Sequence, residues 1–154
     1  ARGIDLRRNF PTNYYQRKKI NQEPASENET RALINIFQEY PSAGLLTFSY
    51  SRGKIIYCRQ EKGFAYNQRN CRLARHLQKC SGYRLEKGTA GGTVTKRTGM
   101  KPDMGSPEQF YAEVIRQPSL AIEIPDYRKG EVEELKMIPL EYLYSLNSNT
   151  LVNA

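Results

Sequence analysis

The sequence predicts an α/β fold in which helices are layered on a sheet. Three observations carry this expectation. Apolar runs of strand length stand at residues 45–49, 54–58 and 120–124. Stretches with helical spacing of apolar residues lie between and around them, at about 27–39, 66–80, 107–116 and 139–146. The two kinds of segment alternate along the chain, which is the pattern of layered α/β domains.

Taken in order, residues 3–16 combine a short apolar start with Pro11 and two tyrosines, and read as a strand end followed by a loop. Residues 21–25 form a polar linker. Ser26 with Glu29 has the spacing of a capping box, and Leu33, Ile36 and Phe37 supply an apolar face behind it, so a helix is expected over 27–39, ended by Pro41 and Gly44. The runs at 45–49 and 54–58 then read as two strands separated by Tyr50-Ser51-Arg52-Gly53. Leu73, Leu77 and Cys80 share one side of the helix expected over 66–80, and Gly82 is placed to close it. Residues 87–106 are rich in Gly, Thr and Lys without a clear period, the signature of a long loop. A short helix starting with Pro107 in its first turn follows, then the strand at 120–124, a loop through Asp126 and Gly130, a last helix over 139–146 and a polar tail.

Bulk composition narrows the function classes. With 154 residues and 38% hydrophobic content the chain can bury a core. No apolar run approaches the length of a membrane span, and residues 1–5 read as mid-domain sequence, so the chain is expected to be a fragment or truncated product. The net charge of +8 is spread along the whole length, with no stripe of alternating aromatic and basic residues, which argues against a nucleic-acid module. Cys58, Cys71 and Cys80 form no CxxC pair and are read as buried thiols. The one histidine, His76, reads as a surface or half-buried helical residue.

The residue that most invites a functional reading is Glu123, an acid inside the apolar strand at 120–124. An ionised carboxylate in a buried strand is costly unless paired. It either faces solvent or an arginine, or it serves as a general acid or base near a strand's carboxyl end, where open α/β sheets place their sites.

Four stretches, in order and spanning nearly the whole chain, resemble the zinc carboxypeptidase family, the carboxypeptidase A-like metallopeptidases, and most of all its bacterial branch acting on cell-wall peptides, the γ-D-glutamyl–diaminopimelate endopeptidases. Asp5-Leu6-Arg7-Arg8-Asn9-Phe10-Pro11 is similar to the family's D-L-N-R-N-F-P. Ser26-Glu27-Asn28-Glu29-Thr30 is similar to S-E-P-E-T. Phe48-Ser49-Tyr50-Ser51-Arg52-Gly53 resembles a segment ending H-S-x-G, and Pro118 to Ile124 resembles the strand that delivers the catalytic glutamate.

The resemblance implies a mixed, doubly wound sheet, of which this chain is the C-terminal part of one catalytic domain with its N-terminal half missing. It implies that Glu123 activates a zinc-bound water and that Arg8, with Arg7 beside it, holds a substrate carboxylate, a task suited to the two parallel donors of a guanidinium. Asn9, Phe10 and Pro11 correspond to structural members of that motif. It further implies a zinc cofactor and, as partners, peptides or cell-wall peptides with a free carboxylate and an upstream half-domain carrying H-x-x-E. Tyr50 stands at the position of the family's third zinc ligand, a histidine, and Arg7 stands where the family has asparagine. The gating tyrosine has no counterpart within 87–106, Tyr111 and Tyr127 being the nearest candidates, and the family's Asp-Trp pair becomes Gln109-Phe110. A His-Glu-His site needs two histidines, so this chain alone is expected to lack a catalytic zinc and to be inactive. The alternative is a non-catalytic remnant that binds peptide carboxylates or anionic wall polymers through Arg7 and Arg8.

Overall fold

The computed structural model describes residues 3–13, 23–51, 53–60, 62–88, 105–125 and 132–147. Four strands form one mixed sheet: β1 (Leu45–Ser51), β2 (Lys54–Tyr57), β3 (Arg84–Lys87) and β4 (Ser119–Pro125), in the spatial order β1-β4-β2-β3. The last strand in sequence therefore lies inside the sheet. It runs parallel to β1 and antiparallel to β2, while β2 and β3 are parallel.

Strand alternation gives the two faces different chemistry. Leu46, Ile55, Leu85, Leu120, Ile122 and Ile124 share one face, and two helices cover it: α2 (Phe64–Ser81) through Leu73, Ala74 and Leu77, and α4 (Val132–Asn147) through Ile138 and Tyr142. Ile55, Leu73, Leu77, Leu120 and Ile122 are fully buried. The other face carries Thr47, Ser49, Lys54, Glu86, Ala121 and Glu123. The short helix α3 (Pro107–Phe110), continued by a π-helical turn over Tyr111–Ile115, stands over it, with Glu108 accepting a hydrogen bond from Thr47 Oγ1. A second apolar cluster joins α3 to α1 (Asn28–Glu39): Phe10 lies 5.7 Å from Phe110, and Tyr111 meets Phe37 edge-on at 5.2 Å between ring centroids.

Two polar clamps hold β4 at its entry. The buried Asn70 of α2 donates to Cys58 O and Ser119 O, at 2.7 and 2.9 Å, and accepts from Ser119 N. Tyr142 of α4 donates to Pro118 O and Leu45 O, at 3.1 and 3.2 Å. Tyr66 adds a bond to Gln117 O. Burial pushes the Tyr66 and Tyr142 phenols well above the ordinary tyrosine value of 10.0. Both protons are kept by the folded chain and lost by the unfolded one once the pH passes 10, so folding stability is full below that value and falls as the pH rises through the alkaline range. The slope from each phenol approaches about 1.4 kcal/mol per pH unit. Urea unfolding followed between pH 9 and pH 11 checks this, and Tyr142→Phe should flatten the decline.

Several local expectations are corrected. Leu6–Arg8 form a 3-10 turn capped by the Asp5 side chain, in place of a strand end. The capping box at Ser26 does not form: Ser26 Oγ accepts from Asn9 Nδ2, and the helix begins after Glu27, whose N–H donates to Asn9 Oδ1. Of the apolar face of α1 only Phe37 packs inward, while Leu33 and Ile36 are exposed. The cysteines differ from one another, Cys58 being buried, Cys71 half-buried and Cys80 exposed. Helix α4 starts at Val132, ahead of Pro139, which it carries inside. Strand β3 adds an element that its own composition does not predict. Gly82 does close α2, in the left-handed conformation with φ 68°. Most of the loop expected over 87–106, the loop through Asp126 and Gly130, and the tail lie outside the described residues.

Candidate functional site

Glu123 lies on the polar face of the sheet, near the carboxyl end of β4. Register sets its neighbours: Ser49 on β1 is its cross-strand partner on one side and Lys54 on β2 on the other. Lys54 is buried, and its Nζ lies 2.8 Å from Glu86 Oε2 and 3.9 Å from Glu123 Oε2. One ammonium thus sits between two carboxylates, and these side chains are only 18% and 22% exposed. The Oε2 atoms of both glutamates are out of contact with solvent and lack a well-directed hydrogen bond. What holds them is the charge of Lys54.

Tyr50 stands elsewhere. Its register partner is Ile124, so its side chain leaves the sheet on the face opposite Glu123, and it is 75% exposed. The side chain that stands beside Glu123 on β1 is Ser49. Two short strands that are far apart in sequence carry no local mark of their register.

Arg7 and Arg8 lie on the 3-10 turn, with side chains 74% and 48% exposed, and both lean on Asp5, at 3.4 and 3.5 Å. Asn9 and Phe10 behind them are buried: Asn9 binds Ser26 and Glu27, and Phe10 N donates to Gly105 O. Gln109 is buried and bridges Arg59 O to Glu113. Tyr111 is 1% exposed, with its hydroxyl donating to Ser42 O, a position locked in the interior. Tyr127 lies outside the described residues.

Solved structures with the same architecture exist. Bovine thrombin-activatable fibrinolysis inhibitor, in complex with tick carboxypeptidase inhibitor, matches 99% of this chain at 15% identity and a TM-score of 0.67. Carboxypeptidase A from Helicoverpa armigera matches 99% at 15% identity and 0.62, and the murein-tripeptide amidase of Escherichia coli O157 matches 96% at 20% identity and 0.55. The chain has a carboxypeptidase-like fold. It spans 58%, 43% and 60% of those three chains, respectively. No protein-family model and no curated protein sequence matches it.

Among the described residues, the donors around Glu123 do not make up the ligand set of a catalytic zinc. Such an ion takes three protein ligands from His, Glu, Asp or Cys and keeps one position open. Here the neighbouring strands present a serine hydroxyl and a lysine ammonium, and the ammonium has no lone pair to give. His76, the chain's one histidine, is on α2, which covers the opposite face of the sheet. Among the described residues, the one group of three or more His, Cys, Asp or Glu close enough together for a shared ion excludes Glu123. Among the same residues, no helix is long and apolar enough to cross a membrane.

Proposed function

We propose that this chain is a polypeptide of the metallopeptidase type that does not hydrolyse peptides by itself. The observation that supports this most is the company Glu123 keeps, with Lys54 between it and Glu86 and Ser49 at the adjoining strand position. In zinc-assisted hydrolysis a carboxylate of this kind would take the proton of a water that the metal has acidified. The ligands for that metal would have to come from a further segment bearing an H-x-x-E motif, and such a half-domain would be this chain's partner. The substrates of that assembly would be peptides with a free carboxylate, cell-wall peptides among them.

A carboxylate-binding role, with or without hydrolysis, is favoured by the exposure of Arg7 and Arg8, although a peptide carboxylate would have to displace Asp5 from them. One experiment addresses both readings. The purified chain, supplied with zinc, is incubated with C-terminally free and C-terminally amidated peptides, while turnover and binding are followed. The expected result is no turnover above that of Glu123→Gln, with binding that prefers the free carboxylate and weakens in Arg8→Ala. Turnover that Glu123→Gln abolishes would overturn the first reading, and equal binding of both peptides would overturn the second.

A further inference from the structure

A second constellation lies on the far side of the sheet from Glu123 and owes nothing to it. His76 and Cys80 are one helical turn apart on α2, so their side chains emerge on the same face. Glu141 faces them from α4. His76 Nε2 is 2.8 Å from Glu141 Oε2 and 3.9 Å from Cys80 Sγ, and the three ligand atoms all lie within 4.8 Å of one another.

We propose that His76, Cys80 and Glu141 form a three-ligand site for a divalent transition-metal ion of the zinc class, bridging α2 and α4 with a fourth position open to water.

The geometry is close to what such an ion imposes. Bonds of about 2.0 Å to nitrogen and oxygen and about 2.3 Å to sulfur, set tetrahedrally, place the ligand atoms roughly 3.3–3.5 Å apart. The separations of 2.8 and 3.9 Å from His76 Nε2 fall on either side of that range, so binding would call for small side-chain rotations. The scaffold is rigid: Leu77, next to His76, and Ile138 and Tyr142, flanking Glu141, are buried in the core between the helices. Cys80 is exposed and the other two are half-buried, which leaves a path for entry and room for a water ligand.

The donor chemistry selects the ion. A thiolate, an imidazole and a single carboxylate suit zinc or cobalt, and disfavour calcium or magnesium, which take oxygen donors. A simple ion pair between His76 and Glu141 would account for their contact but not for the thiol beside them. A divalent ion at this site would take Cys80 as the thiolate, with its proton released to solvent.

Cobalt titration of the full chain tests the assignment. The expected result is one equivalent bound, with a thiolate-to-cobalt charge-transfer band in the near ultraviolet. Cys80→Ser should abolish the band, Cys71→Ser should leave it, and His76→Asn and Glu141→Gln should each weaken binding about a hundredfold. Circular dichroism of each variant confirms that it is folded. Because His76 is the chain's one histidine, its ring proton signals give a second, unambiguous readout, expected to shift on zinc addition in the wild type and in Cys71→Ser alike. Absence of the band at saturating cobalt, a band that survives Cys80→Ser, or ring signals unmoved by zinc would overturn the proposal.

Discussion

Lys54→Met is expected to destabilise the chain by about 3 kcal/mol, the lower end of the range for removing one member of a buried ionic group. The substitution keeps the length and apolar stem of the side chain and deletes only the charge. It leaves Glu86 and Glu123 on one face of the sheet, each with an Oε2 shielded from solvent and with the cation that both face gone. The loss belongs to these stranded carboxylates more than to the ion pair as such. Glu86→Gln and Glu123→Gln, added together to Lys54→Met, should therefore restore most of it. Urea unfolding at neutral pH measures each term. A single-variant loss under about 1 kcal/mol would place this group among solvent-screened surface pairs and would remove the argument that Lys54 holds Glu123.

The second large effect is expected at Asn70. Its amide is fully buried and makes three hydrogen bonds, two given to Cys58 O and Ser119 O and one taken from Ser119 N. Alanine removes all three and strands backbone groups where water does not reach, at a cost of roughly 1–3 kcal/mol for each group left unpaired. Partial relaxation would bring the total to about 3 kcal/mol. Asn70→Asp should fare no better, because it turns an acceptor toward two carbonyl oxygens in place of a donor. Hydrogen exchange localises the effect: the Ser119 amide should lose protection in Asn70→Ala before the rest of β4 does. Unchanged protection there would mean that Tyr142 and the sheet hold the strand without Asn70.

The particular residues show why some of this was legible beforehand and some was not. Helices α1, α2 and α3 announce themselves by apolar spacing and by their ends, Gly82 closing α2 and Pro107 opening α3. Three strands announce themselves as apolar runs. Strand β3, Arg84–Lys87, contains a single apolar residue, and its pairing with β2 comes from the sheet and not from its own composition. Pro139 looks like a helix start because proline fits the first turn best. The helix nevertheless runs through it, anchored by Ile138 and Tyr142. At the candidate site, Glu123 stood out as an acid in an apolar run. Its partners did not, since which of Ser49 and Tyr50 stands beside it depends on a register between segments far apart in sequence. The same holds for Glu141, which nothing in the sequence ties to His76 and Cys80.

The place of β4 also bears on the order in which the chain can acquire structure. Both β1 and β2 leave the ribosome long before their common neighbour, and they do not pair with each other. Until Ser119–Pro125 arrives, each presents open backbone edges, and α2 has only part of a surface to settle on. Closure of the sheet must then join Leu45 to Ser119 across the whole of the chain between them, a contact of high sequence separation whose entropic cost is met before any reward. Folding should accordingly be slow and late for a chain of this size, and the interval before closure is when chaperones and aggregation compete for it.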